Sequence, residues 1–177
     1  MAKRDLQNLL GKNIVKQERD IDLAFEEATR FIFEEKLNHK VINQEGTEHS
    51  DGCLKFKNGD LLLWDNKSLD NEKYTFPNSH LRQFKRYIRD ISNKGERVSC
   101  FLIIVPDFEE SAKNNALKLK YESGSDTDIS IISAENLKMI AEEWTKNKNK
   151  NDFNLQVFNT TGLLTREETK NRMKLFL

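Results

Sequence analysis

The chain has 177 residues, enough for one domain with a sizeable core that needs neither disulfides nor a structural metal. With 29 basic and 29 acidic residues the net charge is zero, which argues against a tail-type polyanion binder resting on bulk positive charge but leaves room for a local basic face. Seven Gly and two Pro argue against a disordered or fibrous chain.

In chain order, the first expected element is a helix from about Glu18 to Leu37. Ile21, Ala24, Phe25, Ala28, Phe31 and Ile32 recur there at helical spacing, and Asp20, Asp22, Glu26 and Glu27 crowd the turns where the helix dipole favours anions. Residues 53 to 67 read as a hairpin turning at Asn58-Gly59. Its second arm, Leu61 to Trp64, is apolar on both faces, as a strand inside a sheet covered by helices would be. A polar loop ends in Phe76-Pro77, and a helix follows from Ser79 to Ser92 with Leu81, Phe84, Tyr87, Ile88 and Ile91 on one stripe. Val98 to Val105 is a buried strand stopped by Pro106. Then come a helix over 109–120, a short strand from Asp128 to Ile132, and a helix from Glu135 to Lys146 capped by Ser133. Residues 146–150 are a solvated breaker, and Phe153 to Phe158 are expected as a last strand. Thr165 and Glu168 form a capping box that opens a terminal helix. The order predicts an α/β domain around a central mixed sheet flanked by helices, with the hairpin central to it.

Cys53 and Cys100 lie far apart in apolar surroundings, without zinc spacing, as buried thiols of a reducing cytoplasm. The N-terminus has no signal-peptide core, and no apolar run approaches the roughly 20 residues of a membrane span.

The hairpin carries charges out of keeping with its burial. Asp51 opens the first arm, and Asp65 and Lys67 end the second. A strict two-residue turn sets Asp65 opposite Gly52 and sends Asp51 to the other face. A type I turn on Lys57 and Asn58, with Gly59 left-handed in a bulge, sets Asp51 opposite Asp65, with Cβ atoms roughly 5 Å apart, and Lys67 on the same face. The bulged register is the expectation. It also sets His49 opposite Lys67, near the site.

Two close carboxylates repel unless a cation lies between them, and hard oxygens without His or Cys suit Mg²⁺. Asp, Asp, Lys and a divalent cation are the parts needed to hydrolyse a phosphodiester. Acid-x-Lys also occurs at Glu34-x-Lys36 and Glu168-x-Lys170, on expected helix surfaces. Only Asp65-x-Lys67 ends a buried strand with an Asp facing it. From spacing alone, a structural Asp–Lys pair capping the sheet edge and a metal site both stand. Arg82, Lys85, Arg86 and Arg89, with Lys94 and Arg97, gather around one helix as a phosphate-facing or partner-facing surface, or as a solvated helix face. Trp64 and the Phe residues read as core, and the three His carry no metal spacing.

At His49-Ser50-Asp51-Gly52 and Trp64-Asp65-Asn66-Lys67-Ser68 the sequence resembles the PD-(D/E)xK nuclease superfamily. More narrowly it is similar to the cleavage domain of FokI-like type IIS restriction endonucleases. Phe25-Glu26, Phe76-Pro77, Phe84 to Ile88 and Thr165 to Glu168 extend the resemblance over roughly residues 20 to 177, with sparse identities outside the motif. Ser50 replaces the motif's Pro.

The resemblance implies a restriction-endonuclease-like core and Mg²⁺-dependent hydrolysis of double-stranded DNA, with Mn²⁺ as a substitute. Asp51, Asp65 and the backbone carbonyl of Asn66 would hold the metal, and Lys67 would orient or deprotonate the attacking water. Glu26 is the upstream acid, or a surface helix acid. In that family the helix after the core pairs with its copy in a second subunit. Arg86 matches the family's basic residue there, but Arg82 stands in place of an acidic one, which favours a different, acidic partner subunit. No helix-turn-helix, zinc finger or basic arm is present, so target recognition is expected from another domain or a large subunit. The chain is then a single nuclease domain over residues 1–177, cut from a larger enzyme or acting as the small subunit of a heterodimer in the prokaryotic cytoplasm. A repair or junction-resolving nuclease, an inactive DNA-binding or assembly module, and an α/β domain with a structural ion pair are the alternatives.

Overall fold

The computed structural model describes residues 2–44, 49–70, 73–124, 126–146 and 153–177. A five-stranded sheet runs in the order β1 (Gly52–Lys55), β2 (Leu61–Asn66), β3 (Val98–Val105), β4 (Asp128–Ser133) and β5 (Gly162–Leu164). β1 is antiparallel to β2, and every later pair is parallel. Alternation along the strands sorts side chains to two layers. Leu62, Trp64, Leu102 and Ile104 pack with Phe25 of α2 (Asp20–Phe31), Leu137 and Ile140 of α5 (Ala134–Thr145) and Met173 of α6 (Arg166–Phe176). Leu61, Leu63, Phe101 and Ile103 pack with Leu81 and Phe84 of α3 (Asn78–Ser92) and Ala116 of α4 (Ala112–Ser123). The mixed sheet between helices is the expected α/β class. Ser99 is the extra residue between the pairs Leu61–Val98 and Leu62–Cys100. That bulge puts Val98 in the same layer as Phe101 and Ile103.

The hairpin adopts the bulged register. Gly52 pairs with Trp64 and Lys55 with Leu61. Gly59 N–H donates to Phe56 O at 3.0 Å, Phe56 N–H donates to Asp60 O at 2.8 Å, and Gly59 takes φ +96°. Gly52 is obligatory for another reason: a Cβ there would sit 2.0 Å from Trp64 Cζ2. Ser133 caps α5 through Asn136 N–H at 3.1 Å, and Thr165 caps α6 through Glu168 N–H at 3.2 Å.

Three expectations are corrected, and one element is new. The hairpin is not central: β1 forms one edge of the sheet, and β3 lies at its middle. Residues 153–158 do not end in a strand, because Leu155–Phe158 is a 3₁₀ turn and the last strand is β5. The first long helix does not keep one period. It continues as a π turn over Ile32–Lys36, which turns Phe33 and Leu37 into the core and leaves Phe31 52% exposed. A short helix, α1 (Leu6–Gly11), precedes it without having been expected, held by an Asp5 cap. The breaker at residues 147–150 lies outside the described residues. Both cysteines are free and buried, and no described helix is long and apolar enough to cross a membrane.

Candidate functional site

A cleft of about 490 Å³ opens at the C-terminal end of β2, where ligands gather in open α/β sheets. Its lining includes Glu26 from α2, Asp51, Asn66, Lys67 and His80 from α3. The register explains the convergence. Residues 61, 63, 65 and 67 project toward α3, and the bulged pairing brings Asp51 to the same face. Asp65 is 2% exposed, and its Oδ1 lies 2.6 Å from Lys67 Nζ. The Lys67 ammonium also donates to Gln83 Oε1 at 3.3 Å and lies 5.4 Å from the centre of the Phe84 ring. Asn66 N–H donates to Asp51 Oδ2 at 2.6 Å. A strand residue sends its N–H and C=O to the same edge, so the Asn66 carbonyl is directed to the side where Asp51 lies. The Asn66 side chain turns to the other layer, where Thr29 Oγ1 donates to its Oδ1 at 2.9 Å and ties α2 to β2.

The electrostatics are those of too many acids for one cation. Burial pushes Asp65 up, and the Asp51 charge pushes it further, against the pull of Lys67. Asp51 is raised by burial despite the Asn66 N–H. Glu26 is pushed up to about 7 by partial burial, then by Asp51 and Asp22. These oxygens fit a hard divalent cation, which would relieve their mutual repulsion. Among the described residues no three His, Cys, Asp or Glu side chains close into a cage, so the fit rests on Asp51, Asp65 and the Asn66 carbonyl.

The remaining expected residues lie elsewhere. Arg82 and Arg89 are exposed on α3. Lys85 reaches Glu122 of α4 at 3.4 Å, and the Arg86 guanidinium lies 5.6 Å from the Tyr87 ring centre. None of these four lines the cleft. His49 does not line it either. Its Nδ1 lies 2.7 Å from Ser50 O, and it borders a separate hollow with Gln44, Tyr87 and Lys94. Trp64 is core, 1% exposed.

Sequence reasoning missed several residues of the cleft. Arg4 donates to Asp22 Oδ1 and to Ser68 Oγ, both at 2.9 Å, and Ser68 also hydrogen-bonds Asp22. These contacts hold the N-terminal segment beside Lys67, and no local signal announces them. Gln83 and His80 had a signal: with Phe84 they share one face of α3 at i, i+3 and i+4 spacing.

Two solved structures share this fold. The structure of restriction endonuclease FokI superposes with a TM-score of 0.64 at 14% identity, covering 81% of this chain and 28% of that one. The structure of FokI bound to DNA superposes with a TM-score of 0.59, also at 14% identity, covering 70% and 25%. The chain therefore spans little more than a quarter of these relatives. No curated protein sequence matches it significantly. The family model described as "FokI, cleavage domain" matches residues 10–164, a span that holds Glu26, Asp51, Asp65 and Lys67, and the chain belongs to the FokI cleavage-domain family, a family of nuclease domains.

Proposed function

We propose that the chain is the cleavage domain or subunit of a type IIS restriction enzyme. It hydrolyses phosphodiester bonds of double-stranded DNA, one strand per active site, with a divalent cation, Mg²⁺ or Mn²⁺ in its place. The observation that carries this reading is the meeting of Asp51, Asp65 and Lys67 at one strand end, with more acid than base in a half-buried cleft. Asp51, Asp65 and the Asn66 carbonyl would hold the cation. It supplies charge neutralisation and an activated water when bound. Lys67 Nζ, pinned between Asp65 and Gln83, orients that water and stabilises charge developing on the phosphate. Glu26 reaches the same cluster from α2 as an additional acid.

Target choice belongs to another domain or a large subunit, since the chain is neutral and its cleft is acidic. Arg82 and Arg89 present exposed positive charge on α3, which suits pairing with a second nuclease domain that offers acids there. The test incubates the chain with supercoiled plasmid and Mg²⁺, alone and with its recognition subunit, beside Asp65→Ala and Lys67→Ala. Nicking or cutting that both substitutions abolish supports the reading. Cutting that survives both refutes the site, and no cutting in any mixture refutes the enzyme.

A further inference from the structure

His80 occupies the first turn of α3 and lines the same cleft as Lys67, Asp51 and Glu26. Its ring is held tightly. It stacks on Tyr74 at 5.7 Å and 16°, and it tilts onto Phe84 at 5.8 Å, the same ring that Lys67 Nζ approaches at 5.4 Å. Tyr74 is itself fixed, because its N–H donates to Asp107 O and its carbonyl accepts from Glu109 N–H, each at 2.9 Å. The imidazole and the ammonium are therefore neighbours on one aromatic platform.

The hydrogen bond behind the ring sets which nitrogen carries the proton. Tyr74 Oη lies 3.1 Å from His80 Nδ1, and Tyr74 is 1% exposed. A buried hydroxyl has one hydrogen to place, and among the described residues Nδ1 is the acceptor it meets. Burial drives the Tyr74 phenol far above its ordinary range, so it keeps that hydrogen. Nδ1 then accepts, and the ring proton sits on Nε2. Partial burial and the Lys67 charge hold His80 down to about 4, so the ring is uncharged at neutral pH. In this tautomer Nε2 has no lone pair to give a metal, and it is a donor beside a cation. The cleft is lined by the acids Asp22, Glu26 and Asp51 and by the donors Arg4, Lys67 and His80, and Arg4 is already engaged with Asp22 and Ser68. A phosphodiester is the group that a neutral N–H and an ammonium can grip together.

We propose that His80 is a substrate-contacting residue of the nuclease site, donating Nε2–H to a phosphate oxygen of the DNA strand that lies beside Lys67, with Tyr74 fixing its tautomer. This inference rests on the reading of the cleft as a DNA-cleaving site.

Two measurements test it on the whole chain. Long-range ¹H–¹⁵N correlation of the imidazole nitrogens should show the Nε2–H form of His80, and its Nε2 signal should move when a short DNA duplex is added with Ca²⁺. An Nδ1–H form, or a signal unmoved while the duplex is bound, overturns the proposal. In plasmid cleavage with Mg²⁺, His80→Phe keeps the stacking and loses the donor. It should cut roughly 10- to 100-fold more slowly, the size of one lost hydrogen bond to a charged group. Tyr74→Phe should fall between this variant and the parent. His80→Asn, which restores an N–H donor, should recover part of the rate, and it keeps the test open if His80→Phe does not fold. Asp65→Ala runs alongside. If Asp65→Ala is inactive while His80→Phe cuts at the parent rate, this inference falls alone. If the parent does not cut, the reading of the site falls with it.

Discussion

Among the described residues, two lysine–aspartate pairs with close contact sit at strand ends, and they differ in what surrounds them. Lys120 and Asp128 meet at 2.5 Å at the start of β4, Thr161 Oγ1 donates to Asp128 Oδ1 at 2.7 Å, and Lys120 Nζ reaches Thr161 Oγ1 at 3.2 Å. One acid, one base and one hydroxyl satisfy each other. Lys67 and Asp65 meet at nearly the same distance, 2.6 Å, but Asp51 and Glu26 crowd the same cleft, so one ammonium faces three carboxylates. A structural pair is neutral as built. The pair at the end of β2 leaves negative charge uncompensated in a buried place, which a fold retains only at a cost, and such places are candidate functional sites.

The largest effect should separate the two pairs outright. Asp65→Ala or Asp51→Ala should lower plasmid cleavage by roughly a thousandfold or more, with Lys67→Ala close behind, since these groups act as a unit. Asp128→Asn should leave the cleavage rate of folded protein unchanged and cost about 1–2 kcal/mol in urea denaturation, from a weakened ion pair. A cleavage loss in Asp128→Asn as large as in Asp65→Ala would erase the distinction.

This contrast was partly legible in the sequence. Asn58-Gly59 is a local signal, and local turn chemistry fixes the register that sets Asp51 against Asp65 and Lys67. The core layers followed from periodicity in the same way. What failed depends on distant contacts. Residues 155–158 form a 3₁₀ turn because Asn154 caps Gln156 N–H at 3.1 Å, while Arg172 donates from α6 to the carbonyls of Gln156 and Val157 at 2.7 Å and of Asn159 at 2.8 Å. β5 is three residues long, too short to leave a pattern. The π turn inserts a residue into a 3.6 period that sequence reading assumes constant. Arg4 reaches the cleft across a separation of 64 residues to Ser68, beyond any spacing argument.

A smaller effect concerns the uncompensated charge itself. A divalent cation at about tenfold its dissociation constant adds about 1.4 kcal/mol to stability. Mg²⁺ should therefore raise the melting temperature of the parent chain by about 3–6 °C. It should leave Asp51→Asn or Asp65→Asn unmoved, whereas Lys120→Met, which breaks only the neutral pair, should keep the full shift. Equal shifts in all of these variants would mean that the cation binds elsewhere.

Glu26 gives the smallest and most directional prediction. Its carboxyl titrates near 7 in the fold, against 4.5 as the ordinary value. Between those values the folded chain holds a proton that the unfolded chain has released, so without divalent cations stability falls as pH rises through this window. Glu26→Gln removes one contributor to that fall. Because the side chain is only half-buried, solvent screening limits the difference to on the order of 1 kcal/mol. Urea denaturation at pH 5 and pH 8 should show the parent losing more stability than Glu26→Gln by that amount, and added Mg²⁺ should narrow the gap by stabilising the ionised cluster. Glu142→Gln, on an exposed face of α5 in an i, i+4 pair with Lys138, is the control and should show no such difference. If the parent and Glu26→Gln lose stability in parallel, Glu26 is an ordinary helix acid, and the charge excess at the end of β2 belongs to Asp51 and Asp65 alone.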